Sequence, residues 1–441
     1  MGSVYSHSIN KSELIPGVSL TCISTDRFKS GCITINILSE LTRETASANA
    51  LLPRVLRRGS SKLPDMESIS AALDDLYGVR IEPIVRKKGE VHCIGLYCDF
   101  PDERYIPDSE NVLEKAISIT SEILLDPYLH ENTLCNDYVE SEKSNLIDDI
   151  LAAINDKRGY AIDRLLEEMC SDEAFGISKL GNEEQAKAIT NKSLTAHYHE
   201  LINNSQIEIF YCGSAEPKRV HSALEASLKS LPERASVKIP KTNVVYNPIS
   251  DTLRRFTESL DVSQGKLTVG FRMGDTMNAP DYPALMLFNA LYGGSVSSKL
   301  FLNVREKLSL CYYASSMLDK HKGIMIVSSG VEFSNFETAL NEILHQLDNV
   351  KNGEISEWEF TSSKRYVLTS IKSALDRLGG LEELYFDCII SAVPYDPVKL
   401  SDMVEEVTIE RVIAVASAIK TDSVYLLSGL ENEEGAVNEA H

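Results

Sequence analysis

The chain has 441 residues, more than a single hydrophobic core usually organises, so two domains are expected. Its 44 Lys and Arg residues stand against 65 Asp and Glu, a formal charge of -21, which disfavours nucleic acid and anionic membrane surfaces as partners. No stretch approaches the ~20 apolar residues of a membrane span, and residues 1–11 hold no apolar core of signal-peptide length. Nine scattered cysteines without a C-x-x-C pair fit a reducing compartment, so the cytoplasm is the expected location.

In chain order, residues 18–24 and 32–38 read as strands, with β-branched residues in alternation. Residues 46–57 read as a helix stopped by Gly59-Ser60, and residues 66–77 as a second helix. The alternating runs 80–85 and 90–99 read as a hairpin around Lys88-Gly89. Helices are expected over 111–125, 133–154, 160–170, 193–202 and 217–231, with a strand at 206–212. The later pattern gives strands at 266–271, 310–317, 323–331 and 423–428, and helices at 283–292, 336–350, 356–378 and 408–419.

Prolines, lysines and asparagines without periodicity mark a break, giving domains at 1–235 and 257–430, a linker at 236–256 and an acidic tail at 431–441. The halves look duplicated. Ile33-Thr34-Ile35 precedes a helix ending Leu56-Arg57-Arg58-Gly59-Ser60, and Leu267-Thr268-Val269 precedes one ending Leu291-Tyr292-Gly293-Gly294-Ser295, about 235 residues later.

The most specific stretch runs from Leu291-Tyr292-Gly293-Gly294-Ser295 through Leu300-Phe301 to Val304-Arg305-Glu306-Lys307, with Tyr312 seven residues past the arginine. It resembles the second domain of insulinase-type (pitrilysin-type, mitochondrial processing peptidase-like) zinc metallopeptidases. Ser263-Gln264-Gly265-Lys266 upstream and Gly353-Glu354-Ile355 downstream fit the same family. The resemblance implies an α/β (α+β) fold of two homologous domains, each a mainly antiparallel sheet with helices packed on one face. In that family peptides add as an extra strand at an exposed sheet edge.

Catalytic members carry an inverted zinc motif, H-x-x-E-H, whose two histidines share a helical face while the glutamate activates a zinc-bound water. Aligning the helix that ends Val55-Leu56-Arg57-Arg58 puts Ala50 and Arg54 at the histidine positions and Pro53 at the base. A further carboxylate ligand on a later helix corresponds to Asp149. A methyl, a cation and a ring without N–H cannot replace that ligand set, since even outer-shell losses cost ~10–100-fold in metal affinity. No H-x-x-E-H occurs anywhere in the chain. The chain is therefore expected to bind no metal and to be inactive alone.

The family's second-domain Arg and Tyr, which hold substrate opposite the zinc, correspond to Arg305 and Tyr312. Where the enzyme is split over two subunits, zinc and the Arg/Tyr pair can sit on different chains. The resemblance therefore implies a zinc-less subunit of bacterial type, paired as a heterodimer with a zinc-bearing homologue and binding peptide. Some such proteins are linked with peptide maturation and others with modification of translation elongation factor P. Spacing alone leaves Arg305 open to a local salt bridge with Glu306, and Tyr312 to a half-buried strand position, with Tyr313 as the other hydroxyl. Gly293, Gly294 and Ser295 are either a substrate-facing loop or a helix end, because glycine is common after a helix. His197 and His199 lie two residues apart on a helical pattern and cannot share a face, so they read as exposed or capping. His92 reads as a core or edge residue, Cys311 as no nucleophile and Trp358 as packing. The alternative to a peptidase subunit is a structural or peptide-binding protein of the same family with no role in proteolysis.

Overall fold

The computed structural model describes residues 8–107, 111–232, 234, 237–393 and 395–430. The tail expected at 431–441 lies outside the described residues.

In chain order the strands are β1 (Ser8–Ile15), β2 (Val18–Ser24), β3 (Ser30–Glu40), β4 (Arg80–Lys88), β5 (Val91–Pro101), β6 (Leu129–His130), β7 (Thr133–Leu134), β8 (Gln206–Gly213), β9 (Arg254–Leu260), β10 (Gly265–Arg272), β11 (Cys311–Asp319), β12 (Ile324–Val331) and β13 (Lys420–Gly429). The helices are α1 (Ala46–Leu56), α2 (Met66–Asp74), α3 (Val112–Leu125), α4 (Asn136–Ala152), α5 (Lys157–Met169), α6 (Glu183–Ala188), α7 (Asn191–Asn204), α8 (Pro217–Ser227), α9 (Tyr282–Asn289), α10 (Phe336–Lys351), α11 (Glu357–Leu375), α12 (Leu378–Ile390), α13 (Pro397–Glu405) and α14 (Ile409–Ala418).

Two compact units result. The first comprises Met1–Ala152, Ile177–Thr242 and Ser373–Ile390; the second comprises Ala153–Gly176, Asn243–Lys372 and Ser391–His441. The contiguous division expected from sequence differs in two segments, because 153–176 go with the second unit and 373–390 with the first. Each unit thus takes one helix, α12 or α5, from the sequence range of the other half.

Among the described residues the first sheet has the order β1-β2-β8-β3-β5-β4 and the second β11-β12-β10-β13-β9. Only β2–β8 in the first sheet and β9–β13 in the second run parallel. With β1 set aside, strand order and direction match, and β3 corresponds to β10, which is the duplication read from Ile33-Thr34-Ile35 and Leu267-Thr268-Val269. The class is the expected α+β one, with one addition: the second face of each sheet carries a helix as well.

Strand alternation explains why both faces are covered. In β3, Ile33, Ile35 and Ile37 pack with Leu51, Leu52 and Val55 of α1, each buried. Burial on this scale contributes ~1.5–3 kcal/mol per side chain. The alternate residues turn to α12: Leu38 packs with Phe386, and Thr34 Oγ1 donates to Glu382 Oε1 at 3.3 Å. In the second unit Thr268 Oγ1 donates to the Ala161 carbonyl of α5 at 3.2 Å. Gly270 lets α5 approach closely, since a Cβ there would lie 2.4 Å from Met169 Sδ and push that side chain aside.

Ion pairs fix both exchanged segments. Arg86 Nη1 reaches Glu382 Oε2 at 2.7 Å, and Lys88 Nζ reaches Asp387 Oδ1 at 2.8 Å and also Glu383. In the second unit Arg272, fully buried, donates through Nε to Asp422 Oδ2 at 2.8 Å and through Nη2 to Glu173 Oε1 at 2.6 Å. Lys322 Nζ lies 2.6 Å from the other oxygen of Glu173. Buried charges of this kind are tolerated only when paired.

Candidate functional site

α1 is the helix on which the zinc motif would stand. Ala50 and Pro53 are buried in the core of the first unit, and Arg54 sits on the rim facing α4. Its Nη1 donates to Asp149 Oδ2 at 2.8 Å, with the Arg54 side chain 22% exposed and that of Asp149 55% exposed. One turn further, Arg58 Nη1 donates to Glu142 Oε1 at 2.8 Å, its guanidinium 5.0 Å above the Tyr138 ring. The structure therefore brings together the two positions, 95 residues apart, that the alignment paired. The residues there do not fit a zinc ion: a buried methyl, a ring nitrogen without a lone pair to spare, and a cation already holding the carboxylate. Among the described residues, no three His, Cys, Asp or Glu side chains gather anywhere as a metal-ligand group.

The second unit presents the Arg/Tyr motif. α9 continues as a π-turn over Ala290–Gly294, and a second π-helix, Leu300–Lys307, carries Arg305. Such wide turns are rare and recur at functional sites. Arg305 lies 4.7 Å above the Phe301 ring, 40% exposed, with Nε 3.6 Å from Glu306 Oε1. Ser309 takes a positive φ of 50° to turn the chain into β11. Tyr312 falls at the register shift between Cys311 and Tyr313, opposite β12. It is 62% exposed, not half-buried, and its hydroxyl donates to Glu332 Oε1 at 2.6 Å. That hydrogen bond to a carboxylate raises the phenol pKa. Tyr313 is turned inward instead, with the Arg158 guanidinium 4.4 Å over its ring.

Gly293 and Ser295 are buried, Gly294 partly so. None of the three caps a helix in the left-handed conformation. A Cβ on Gly293 would meet Ser316 N at 2.7 Å, so this glycine admits the β11 backbone, and Ser295 Oγ donates to the Ala290 carbonyl at 2.9 Å. Val296 and Leu308 are exposed apolar side chains nearby. Trp358, read as packing, is 57% exposed. Burial raises the Cys311 thiol pKa, consistent with no nucleophile there.

Sequence reasoning missed one constellation. His197 is half-buried rather than exposed, its Nε2 2.7 Å from Asn49 Oδ1, and Asn49 Nδ2 lies 3.1 Å from Nδ1 of the buried His92. Asn49 and His197 line a cavity of about 190 Å³ with Glu40, Thr45, Glu200 and Lys238. No local pattern could announce it, since 148 residues separate Asn49 from His197.

Comparison with known proteins follows the same outline. The family model described as "Peptidase M16 inactive domain" matches residues 188–367. A relative described as "Probable inactive metalloprotease YmfF", from Bacillus subtilis (strain 168), is 32% identical over 415 residues, covering 94% of this chain and 96% of the relative. The chain belongs to the peptidase M16 family. A crystal structure of a conserved protein from Enterococcus faecalis V583 superposes with a TM-score of 0.87 at 26% identity, covering 96% of this chain and 99% of that one. A crystal structure of a peptidase M16 inactive domain from Pseudomonas fluorescens gives a TM-score of 0.77 at 15% identity, over 96% of this chain and 98% of that one, a likeness of fold. Within the M16 family this chain is an inactive homologue, because the helix that should hold the metal has no ligand to offer. Among the described residues, no helix is long and apolar enough to cross a membrane.

Proposed function

We propose that this M16 homologue is the non-catalytic, substrate-binding subunit of a heteromeric zinc metallopeptidase in the cytoplasm. It forms a heterodimer with a zinc-bearing homologue, zinc resides on that partner only, and Arg305 and Tyr312 act on the peptide held there. The observation that supports the reading is a contrast. The motif helix is sealed by Arg54 and Asp149, whereas Arg305 and Tyr312 stand exposed on a rare π-helix and a strand irregularity. A guanidinium donates to a carbonyl near the scissile bond and a phenol to the developing oxyanion, and such donors are worth most where charge develops.

The test is to purify this chain alone and together with a co-purifying homologue that carries H-x-x-E-H, then follow zinc content and cleavage of unstructured peptides. Cleavage only in the mixture, lost in Arg305→Ala, is expected. Zinc-dependent cleavage by this chain alone would overturn the proposal. A purely structural or peptide-binding role draws support from the partners Arg305 and Tyr312 already have in Glu306 and Glu332. On that reading Arg305→Ala leaves the mixture's activity intact.

A further inference from the structure

The first sheet ends in β4, and the backbone of that strand has lost groups that a further strand would pair with. Among the described residues β4 has β5 as its one ladder neighbour, with Ile81 opposite Cys98 and Pro83 opposite Leu96. In an antiparallel ladder, alternate residues turn both N–H and C=O toward the same side. A proline nitrogen cannot donate, so Pro83 belongs to the outward-turned set, as edge-strand prolines do. Ile81, Val85 and Lys87 share its parity and turn outward with it.

The outward carbonyl of Ile81 is already taken. Arg57 Nε donates to it at 2.6 Å, while Arg57 Nη1 lies 3.2 Å from Met66 Sδ on α2. The arginine is half-buried and held at both ends of its guanidinium, so it is a fixed cap rather than a swinging side chain. A charged donor also makes a stronger bond to that carbonyl than an incoming peptide N–H would. At two successive outward positions, therefore, one acceptor is occupied and one donor does not exist.

We infer that Arg57 and Pro83 close this sheet edge, so that an extended peptide does not add to the first unit as a strand on β4. The inference rests on the proposed peptide-binding reading and narrows it: peptide contact on this chain lies away from the β4 ladder. Arg54 and Arg57, one turn of α1 apart, then act in the same sense. One arginine takes the carboxylate a metal would need, and the other takes the carbonyl a substrate strand would need. Closure of this kind is also how native sheets avoid edge-to-edge pairing.

The test is hydrogen exchange of the full chain with and without a saturating unstructured, fluorescently labelled peptide. The amides of Ile81, Val85 and Lys87 are expected to exchange equally with and without peptide in the natural chain. In an Arg57→Ala, Pro83→Thr double variant they gain protection, and anisotropy reports binding on the order of tenfold tighter. Protection of these amides in the natural chain overturns the inference. So does a double variant of natural melting temperature that gains neither protection nor affinity. Should the double variant not fold, Pro83→Thr alone, which keeps Arg57 in place, carries the second arm. Failure here leaves the Arg305→Ala activity test standing, because that assay does not read β4. Conversely, an inactive mixture leaves the exchange result to decide the closure of the edge.

Discussion

Arg54 Nη1 and Asp149 Oδ2 lie 2.8 Å apart, so a guanidinium links α1 to α4 at the positions where zinc peptidases of this family use a metal. The helix contact therefore survives without the ion. The cation has become a side chain of the fold, and the carboxylate that remains serves it rather than a metal.

That link is expected to be weak as a stabiliser. Asp149 is more than half exposed, and exposed ion pairs contribute ~0–1 kcal/mol. Arg54→Ala should lower stability in urea by at most ~1 kcal/mol, and bound zinc, measured by elemental analysis, should stay at background. Stoichiometric zinc on purified Arg54→Ala protein would mean that Arg54 alone had been excluding a competent site.

The Arg272 cluster should behave oppositely. Asp422 is fully buried; burial pushes its carboxyl pKa up, but hydrogen bonds from Arg254, Arg272 and Ser423 outweigh this and leave it lowered. Asp422→Asn removes one of the two carboxylates that pair with the buried Arg272 and leaves Glu173 to serve both Arg272 and Lys322. Losing one partner of a buried pair costs ~3–5 kcal/mol. Because the folded pKa is lowered, the cluster's contribution is complete above the ordinary carboxylate range and is lost as pH falls through the folded value. Glu173, lowered in the same way by Arg272 and Lys322 against its burial, adds to that acid lability. Chemical denaturation from pH 3 to pH 7 should show a shallower acid slope in the variant. An unchanged slope would assign the acid sensitivity elsewhere.

Several of these relations were legible in the sequence, and others were not, for identifiable reasons. Alternation in β3 and the helical period of α1 and α10 are local signals, and the element bounds follow them closely. α12 escaped notice because it opens on Gly379-Gly380 and lies against a sheet, so its apolar residues leave no clean polar face. β9 is an edge strand whose inward positions include the charged Arg254 and Glu258, so its regular in-and-out alternation is not written as apolar against polar residues. Arg54 and Asp149 could be paired because a motif alignment located both. The Asn49, His92 and His197 group had no such template and exists only through tertiary packing.

Arg305→Ala and Tyr312→Phe should separate function from stability. Both side chains are substantially exposed, so neither change should shift the melting temperature by more than about 2 °C in a chain of this size. In a mixture with a zinc-bearing partner, each should lower kcat/KM for peptide cleavage about 10²- to 10³-fold, the loss typical of a transition-state donor. Loss of activity with a matching loss of thermal stability would instead point to damaged packing of β11.

His92 offers a separate test of the buried polar group in the first unit. Its imidazole has no solvent exposure, and desolvation, aided by the positive charges of Lys87 and Lys179, lowers its pKa to about 4. The folded protein thus keeps His92 neutral between pH 6.5 and pH 4, where the unfolded chain takes up a proton, so stability must fall as pH drops through that window. A shift of this size corresponds to as much as ~3 kcal/mol. His92→Gln removes the titration while keeping an amide that can face Asn49, and urea titrations of this variant should lose most of the decline between those two pH values. A decline that persists undiminished in His92→Gln would overturn the assignment to His92 and move it to the other groups whose pKa is lowered, the half-buried His197 among them.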